Sequence, residues 1–231
     1  MTTVVAFAGH ELLLDPLGGL FWPARNLLAV ADLHFEKGTA AAHAGSLLPP
    51  WDTAITLGRL GRLIETYRPA TVVALGDTFH DRYGFSRMAP ADAARLRAWA
   101  EHIHFVWVLG NHDPAPAPGL TGTATPCWSH AGLDFCHQAR PGHTAPELVG
   151  HHHPKACIPT RAGAVTRPCF VVGADRLMLP AMGAFTGGLD VASPAIARLF
   201  PAGGRAYLLG QARLFTFPLH PGPLQPGLAP A

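Results

Sequence analysis

The sequence predicts an α/β (α+β) protein in which helix-covered parallel strands are followed by a second, more antiparallel sheet. Of the 231 residues, 48% are hydrophobic and 14% are charged, which is ample apolar material for a buried core. The 25 glycines and 23 prolines interrupt the chain too often for a helical bundle or a coiled coil. In the first half, apolar runs that stop at polar residues alternate with helical patterns, as in parallel β-α-β units.

Strand signals are strongest in the first half of the chain. Residues 4–8 and 11–14 have the pattern of a hairpin. Runs of almost entirely apolar residues at 27–31, 71–75 and 105–109 predict strands that are buried on both faces. Each run ends at a polar loop, so ligand-type side chains follow the carboxyl ends of the predicted strands.

Two helices are predicted between these strands. The segment 52–67 places Leu60 and Leu63 on one face, and Pro69 lies beyond its end. The segment 90–103 begins with a proline, which is favoured in the first helical turn. The order strand, helix, strand therefore predicts a parallel arrangement in this half.

The pattern changes after residue 120, where little helix is predicted. Short strands are predicted at 133–136, 148–149, 164–165, 169–172, 177–179, 206–209 and 213–217. We expect a single domain over residues 1–217. Residues 218–231 contain five prolines and no Asp, Glu, Lys or Arg, which predicts a flexible, proline-rich tail.

Composition also predicts where the protein works. No window approaches the roughly 18 consecutive apolar residues of a membrane span, and no basic residue precedes the short apolar run at the N-terminus, so we expect a cytoplasmic protein without a membrane partner. The cysteines form no CxxC pair, which predicts reduced, mostly buried thiols and argues against a cysteine-based zinc finger. These cysteines are Cys127, Cys136, Cys157 and Cys169.

Histidine is unusually frequent, with 14 residues in the chain, and several histidines follow the predicted strands. Loops at the carboxyl ends of neighbouring parallel strands line one crevice, so we expect these side chains to converge. Carboxylate, amide and imidazole groups in such loops are typical of a metal site. The groups in question are Asp32 and His34, Asp77, Asn111 with His112 and Asp113, and His151 with His153.

Spacing within these segments predicts how the ligands are presented. Asp32 and His34 are separated by one residue, as are His151 and His153, so on an extended chain each pair leaves the same face. His152 would then point to the opposite face. Glycine directly before Asp77, and likewise before Asn111 and His151, permits crowded turns.

This order of motifs resembles the calcineurin-like metallophosphoesterase superfamily over residues 27–155. The resemblance implies a four-layer sandwich of two mixed β-sheets flanked by helices. It also implies two divalent metal ions, one held by Asp32, His34 and His153, the other by Asn111, His137 and His151, with Asp77 bridging both. His130 competes with His137 for the isolated histidine position, because glutamine follows His137 where the family often has glycine.

The resemblance assigns the remaining chemistry to His112 and Asp113. His112 would face the scissile phosphate as the general acid, oriented by Asp113. Two divalent ions against two carboxylates leave a formally cationic site that suits a phosphodiester. Ligands without thiolate favour Mn, Fe or Zn over Ca or Mg, and the resemblance makes Mn²⁺ the first choice.

Three further segments make the resemblance specific to one family within this superfamily. They are residues 74–81, 167–170 and 179–189. With residues 31–38 they resemble the ligase-associated DNA damage response endonucleases of the PdeM type. That resemblance implies a metal-dependent DNA phosphodiesterase in repair, associated with an ATP-dependent DNA ligase, an exonuclease and a helicase. The alternative is a phosphodiesterase or pyrophosphatase that acts on a small nucleotide.

Side chains outside the metal shell suggest substrate contacts. His80 and Arg82 follow Asp77 closely enough to reach the substrate phosphate, although they could equally structure the loop. The second half of the chain is basic, and Arg140 and Arg167 there could contact a nucleic-acid backbone or be ordinary surface residues.

Overall fold

The structure is a computed structural model that describes residues 1–160 and 163–220. The greater part of the predicted tail, residues 221–231, lies outside the described residues. Pro218 and Leu219, however, belong to the last strand, where they pair with Arg205 and Gly204. The last strand therefore continues two residues past the predicted domain boundary.

The first sheet has seven strands among the described residues. They are β1 (Thr3–Phe7), β2 (His10–Leu14), β3 (Leu20–Trp22), β4 (Leu27–Ala31), β5 (Thr71–Leu75), β6 (His104–Val108) and β7 (Thr123–Thr125). Neighbours from β1 to β4 are antiparallel, and those from β4 to β7 are parallel. The predicted hairpin and the three predicted parallel strands are thus confirmed.

The second sheet is also mixed, in the order β15-β14-β12-β13-β10-β9-β8, and β11 pairs with β12 at its side. Its strands are β8 (Cys127–His130), β9 (Leu133–Cys136), β10 (Glu147–Val149), β11 (Lys155–Thr160), β12 (Gly163–Val172), β13 (Arg176–Met178), β14 (Gly204–Leu209) and β15 (Leu214–Leu219). Only the pairings of β10 with β9 and β13 are parallel in this sheet as described. The predicted antiparallel character of this half is confirmed.

Helices cover the outer faces of both sheets. They are α1 (Lys37–His43), α2 (Asp52–Tyr67), α3 (Gly84–Arg87), α4 (Pro90–His102) and α5 (Pro194–Ala197), together with a 3-10 turn at Pro23–Arg25. Leu60 of α2 and Leu96 of α4 pack on the first sheet, and Ile196 of α5 packs on the second. The molecule is therefore a four-layer sandwich, as predicted.

Strand β5 shows how the central layers are held together. Val73 and Leu75 enter the core between the two sheets, whereas Val72 and Ala74 enter the core beneath the helices. All four are at most 1% exposed, so both faces of the strand are buried. Burial on both faces explains why the sequence is continuously apolar here.

Two of the cysteines depart from the prediction. Cys127 and Cys136 lie directly opposite each other in the β8–β9 hairpin, with Cα atoms 4.5 Å apart, and form a disulfide. The prediction of four reduced thiols is wrong for this pair, because the hairpin brings together residues that are nine positions apart. Cys157 and Cys169 are free, the former exposed and the latter buried.

A buried ion pair lies at the start of β10. Glu147 is fully buried and accepts hydrogen bonds from the Arg176 guanidinium, whose Nε lies 2.7 Å from Oε1. Arg140 lies against the carboxylates of Glu147 and Asp134. Arg140 therefore forms ion pairs with two carboxylates of the fold. Within the described residues, no helix has the length and apolar character needed to cross a membrane.

Candidate metal centre

The polar loops after five strands meet at one end of the sandwich. Three of the strands, β4, β5 and β6, belong to the first sheet, and β9 and β10 belong to the second. The loops after β4 and β5 continue to pair beyond the strands, because His34 N–H donates to Asp77 O and Phe35 N–H donates to Thr78 O. His80 N–H then donates back to Phe35 O, which brings His80 beside His34. Backbone pairing thus fixes the relative positions of these side chains.

Two groups of three side chains each present one ligand atom within 4.8 Å of the others. The first group matches the set predicted for one metal ion, and the second contains three of the four residues predicted for the other. The fourth, Asn111, lies with its Oδ1 2.9 Å from His137 Nε2. The groups are Asp32, His34 and His153, and Asp77, His137 and His151.

Asp77 lies between the two groups. Its Oδ2 is 3.8 Å from His34 Nε2 and 3.4 Å from His137 Nε2. Hydrogen bonds and charge interactions with His137, and the His112 N–H, lower the Asp77 pKa although burial opposes this. A carboxylate that is ionised and faces both groups has the position expected of a bridging ligand.

The imidazole lone pairs converge in a way that suits divalent cations. His34 Nε2 lies 3.2 Å from His153 Nε2, and His137 Nε2 lies 3.2 Å from His151 Nδ1. Burial, with the neighbouring His153, lowers the pKa of His34 to about 2, and burial, with His137, lowers that of His151 to about 4. Against its burial, the hydrogen bond with Asp77 and the charge of Asp32 raise the pKa of His137. Neutral imidazole is the form that ligates metals, so the lowered pKa values of His34 and His151 suit a metal centre.

His137 rather than His130 is the isolated histidine that joins this site. His130 stacks on Trp128 with ring centroids 4.7 Å apart and belongs to neither group of ligand atoms. His137 is buried, and its Nδ1 donates to Leu75 O, which leaves Nε2 directed toward Asn111 and Asp77. A backbone acceptor on the second ring nitrogen is typical of a metal-binding histidine.

The backbone of the ligand loops is left-handed, not extended as the one-residue spacing predicts. Positive φ values between 44° and 71° occur at five of the predicted ligands, namely Asp32, His34, Asp77, His151 and His153. Such φ values are uncommon outside glycine and concentrate at functional sites. The pairs separated by one residue still converge, but by tight turns of the chain instead of strand alternation.

His152 nevertheless stays outside both ligand groups. Its ring packs edge-on against the ring of His151, and burial followed by the charge of Arg198 lowers its pKa. The structure thus separates His152 from the converging atoms of its two neighbours.

Glycines before two of the ligands are required by close approach. A Cβ atom on Gly76 would lie 2.3 Å from His137 Nδ1, and Gly76 also has a φ of 73°. A Cβ on Gly110 would lie 2.1 Å from Asp77 Oδ1. The prediction that these glycines permit crowded turns is confirmed.

His112 and Asp113 are arranged differently from the prediction. The Asp113 carboxylate accepts N–H bonds from Phe79 and Gly110, both at 3.1 Å, and makes no hydrogen bond with the His112 ring. Burial raises the Asp113 pKa to about 6. The His112 ring is oriented by His80 instead, because its Nδ1 donates to His80 O at 2.8 Å. Asp113 therefore fixes the loop backbone and not the ring of His112.

The two predicted substrate residues have different surroundings. His80 belongs to a third group of converging nitrogens, with His34 and His112, and its Nδ1 is 3.3 Å from His34 Nδ1. Arg82 is exposed, and its guanidinium lies over the Tyr83 ring. The proximity of His80 to a ligand atom was missed from the sequence, because it depends on the pairing between the two loops.

Comparisons with known proteins identify the family of the chain. The calcineurin-like phosphoesterase family profile matches residues 25–157. The crystal structure of Pseudomonas putida nuclease MPE is 32% identical, covers 93% of this chain and 100% of its own, and has a TM-score of 0.72. Yfce, a phosphoesterase from E. coli, is 16% identical over 84% of this chain and 99% of its own, with a TM-score of 0.44. No curated protein sequence matches the chain. The chain belongs to the calcineurin-like phosphoesterase family and is a metal-dependent phosphoesterase.

Proposed function

We propose that this protein is a two-metal phosphodiesterase that hydrolyses the phosphodiester bonds of DNA as an endonuclease, with Mn²⁺ as its metal. The observation that supports it best is the pair of adjacent ligand groups on either side of Asp77. Asp32, His34 and His153 would hold one ion, and Asn111, His137 and His151 would hold the other. The P. putida relative is a nuclease, which favours a nucleic-acid substrate.

Two divalent ions bound there supply Lewis-acid stabilisation of the phosphoryl oxygens and lower the pKa of an attacking water. The chain itself then has to protonate the leaving oxygen. His112 suits this task because its ring is 39% exposed and its Nδ1–H is held by His80 O. In the imidazolium form, the proton on His112 Nε2 would pass to the leaving alkoxide.

The surroundings of the site favour a polymeric substrate. Between Asp113 and His137, a loop of residues 114–122 precedes β7, β8 and β9, which belong to the two sheets, so this stretch contains no separate capping domain. A small-nucleotide enzyme would need a closed pocket to discriminate its substrate. We further propose a role in DNA repair, in association with an ATP-dependent DNA ligase, an exonuclease and a helicase, as the sequence resemblance implies.

The test incubates the purified protein with circular single-stranded DNA, plasmid and bis(p-nitrophenyl) phosphate. Each substrate is assayed with Mn²⁺, Mg²⁺ or chelator. We expect metal-dependent nicking of DNA and hydrolysis of the ester. Hydrolysis of the ester and of small nucleotides without any cleavage of DNA would replace the proposal with the small-nucleotide alternative.

A matched pair of variants links this activity to the bridging carboxylate. Asp77→Ala should abolish turnover and reduce the bound metal below two ions per chain, with an unchanged circular dichroism spectrum. Asp175→Ala removes an exposed aspartate outside the ligand groups and should behave like the wild type. Two bound ions and retained activity in Asp77→Ala would contradict the bridging assignment.

A further inference from the structure

An open groove of about 900 Å³ lies beside the metal centre and takes no part in the chemistry described above. Its walls come from the β2–β3 turn, α2, the β11–β12 hairpin and the β14–β15 hairpin. We call it the arginine groove, because four arginines line it. They are Arg59, Arg62, Arg167 and Arg213.

The positive charge of the arginine groove is not neutralised. Within residues 1–160 and 163–220, no Asp or Glu lines the groove and none of its arginines forms an ion pair. Arg59 Nη1 donates to Met182 O at 2.7 Å, while Arg62, Arg167 and Arg213 are exposed. Burial, with the charge of Arg62, lowers the Arg59 pKa. A cluster of this kind attracts a polyanion.

Apolar surface lies among these charges. Val165 and Phe215 line the groove and are 40% and 44% exposed. The Arg213 guanidinium lies over the Phe215 ring, 4.8 Å from its centroid. A planar cation stacked on an exposed aromatic ring is a platform on which an unpaired nucleobase can stack.

The groove and the metal centre share one wall. Ala181 lines the groove and forms a β-bridge with Ala31, the residue before Asp32. Gly183, two residues later, donates its N–H to Asp32 O at 3.0 Å. Two residues span at most about 7 Å, so a ligand that extends beyond the scissile phosphate can reach the groove.

We propose that the arginine groove binds the nucleic-acid strand at a distance from the scissile bond, with phosphates on the arginines and an unpaired base on Phe215. This inference rests on the proposed function. A single strand fits better than a duplex, because paired bases do not offer their faces for stacking. An acidic peptide would satisfy the arginines but would leave Val165 and Phe215 without a partner.

The test compares two double variants of the Mn²⁺-loaded enzyme on a 20-nucleotide single strand and on bis(p-nitrophenyl) phosphate. Arg167→Ala/Arg213→Ala removes two groove charges. Arg25→Ala/Arg205→Ala removes two exposed arginines that lie outside the groove. We expect the groove variant to raise KM for the oligonucleotide, with unchanged kinetics on the ester and no effect in the control.

Salt dependence gives a second readout. Loss of two phosphate contacts to a single strand should reduce the slope of log(kcat/KM) against log[salt] by about 1.4.

The Phe215 ring is tested separately. Phe215→Ala should lower kcat/KM for the oligonucleotide about fivefold or more, and Phe215→Trp should restore it. A groove variant with wild-type KM and salt slope would overturn the inference while DNA cleavage continues, which leaves the proposed function intact. Equal inhibition by polyglutamate and by an oligonucleotide of the same charge would show an acidic-peptide site instead.

Discussion

Gly110 stands so close to Asp77 that a methyl group on its Cα would lie 2.1 Å from the Asp77 carboxylate and 2.2 Å from the Asp77 backbone nitrogen. Gly110→Ala must therefore displace Asp77 or the loop that carries Asn111. We expect this variant to lose at least one metal ion and most of its phosphodiesterase activity. Metal analysis and ester hydrolysis measure both effects.

The matched control is Gly58→Ala, because Gly58 lies within α2 and has no atom within 4 Å of the added methyl group. This variant should keep wild-type activity and gain about 0.5–1 kcal/mol in the free energy of unfolding, measured with urea. Full activity and metal content in Gly110→Ala would show that the loops tolerate the shift.

Replacement of His112 separates proton donation from metal binding. His112→Ala should keep both metal ions but lose about 100- to 10,000-fold in kcat on DNA, whose alkoxide leaving group needs a proton. On bis(p-nitrophenyl) phosphate, p-nitrophenolate leaves without a proton, so the loss should be much smaller. The measurement is kcat on both substrates at saturating Mn²⁺. Equal fractional losses would assign His112 to phosphate or metal binding and make His80 the next candidate acid.

The three consecutive histidines after β10 should differ in importance. His151→Ala and His153→Ala should each reduce bound metal and activity, because their nitrogens belong to the two ligand groups. His152→Ala should have a mild effect, because its nitrogens belong to neither ligand group. Metal content per chain distinguishes the positions, and a similar loss at all three would contradict the observed loop geometry.

Thiol titration tests the disulfide of the β8–β9 hairpin. Protein unfolded without reductant should react with two equivalents of thiol reagent, from Cys157 and Cys169, and with four after reduction. Four reactive thiols before reduction would mean that Cys127 and Cys136 remain reduced in the isolated protein.

Much of the fold could be predicted because its central strands are buried on both faces. The run at Leu27–Ala31 is continuously apolar, the run at Thr71–Leu75 is apolar after its first residue, and the structure reproduces the predicted bounds of both. Strands β7 and β8 were missed, since Thr123–Thr125 and Cys127–His130 are only partly buried and contain few strongly apolar residues. Their pairing depends on neighbours that are distant in the sequence.

The identities of the converging residues were predictable, but their backbone geometry was not. A spacing of one residue between His151 and His153 suits an extended chain, whereas the structure uses left-handed residues at both positions. Sequence spacing does not report φ. The role of Asp113 was mistaken for the same reason, because its partners Phe79 and Gly110 are set by how two loops pack.

The ligands of the candidate metal centre come from loops of both β-sheets. The first sheet provides Asp32, His34, Asp77 and Asn111, which follow β4, β5 and β6. The second sheet provides His137, His151 and His153, which follow β9 and β10. Ions bound there would hold the two sheets together at one end of the sandwich, because the sheets could not separate without releasing the ions. Free metal at 100 times its Kd would then add about 2.7 kcal/mol to the free energy of unfolding for each site, and a chelator would lower Tm accordingly.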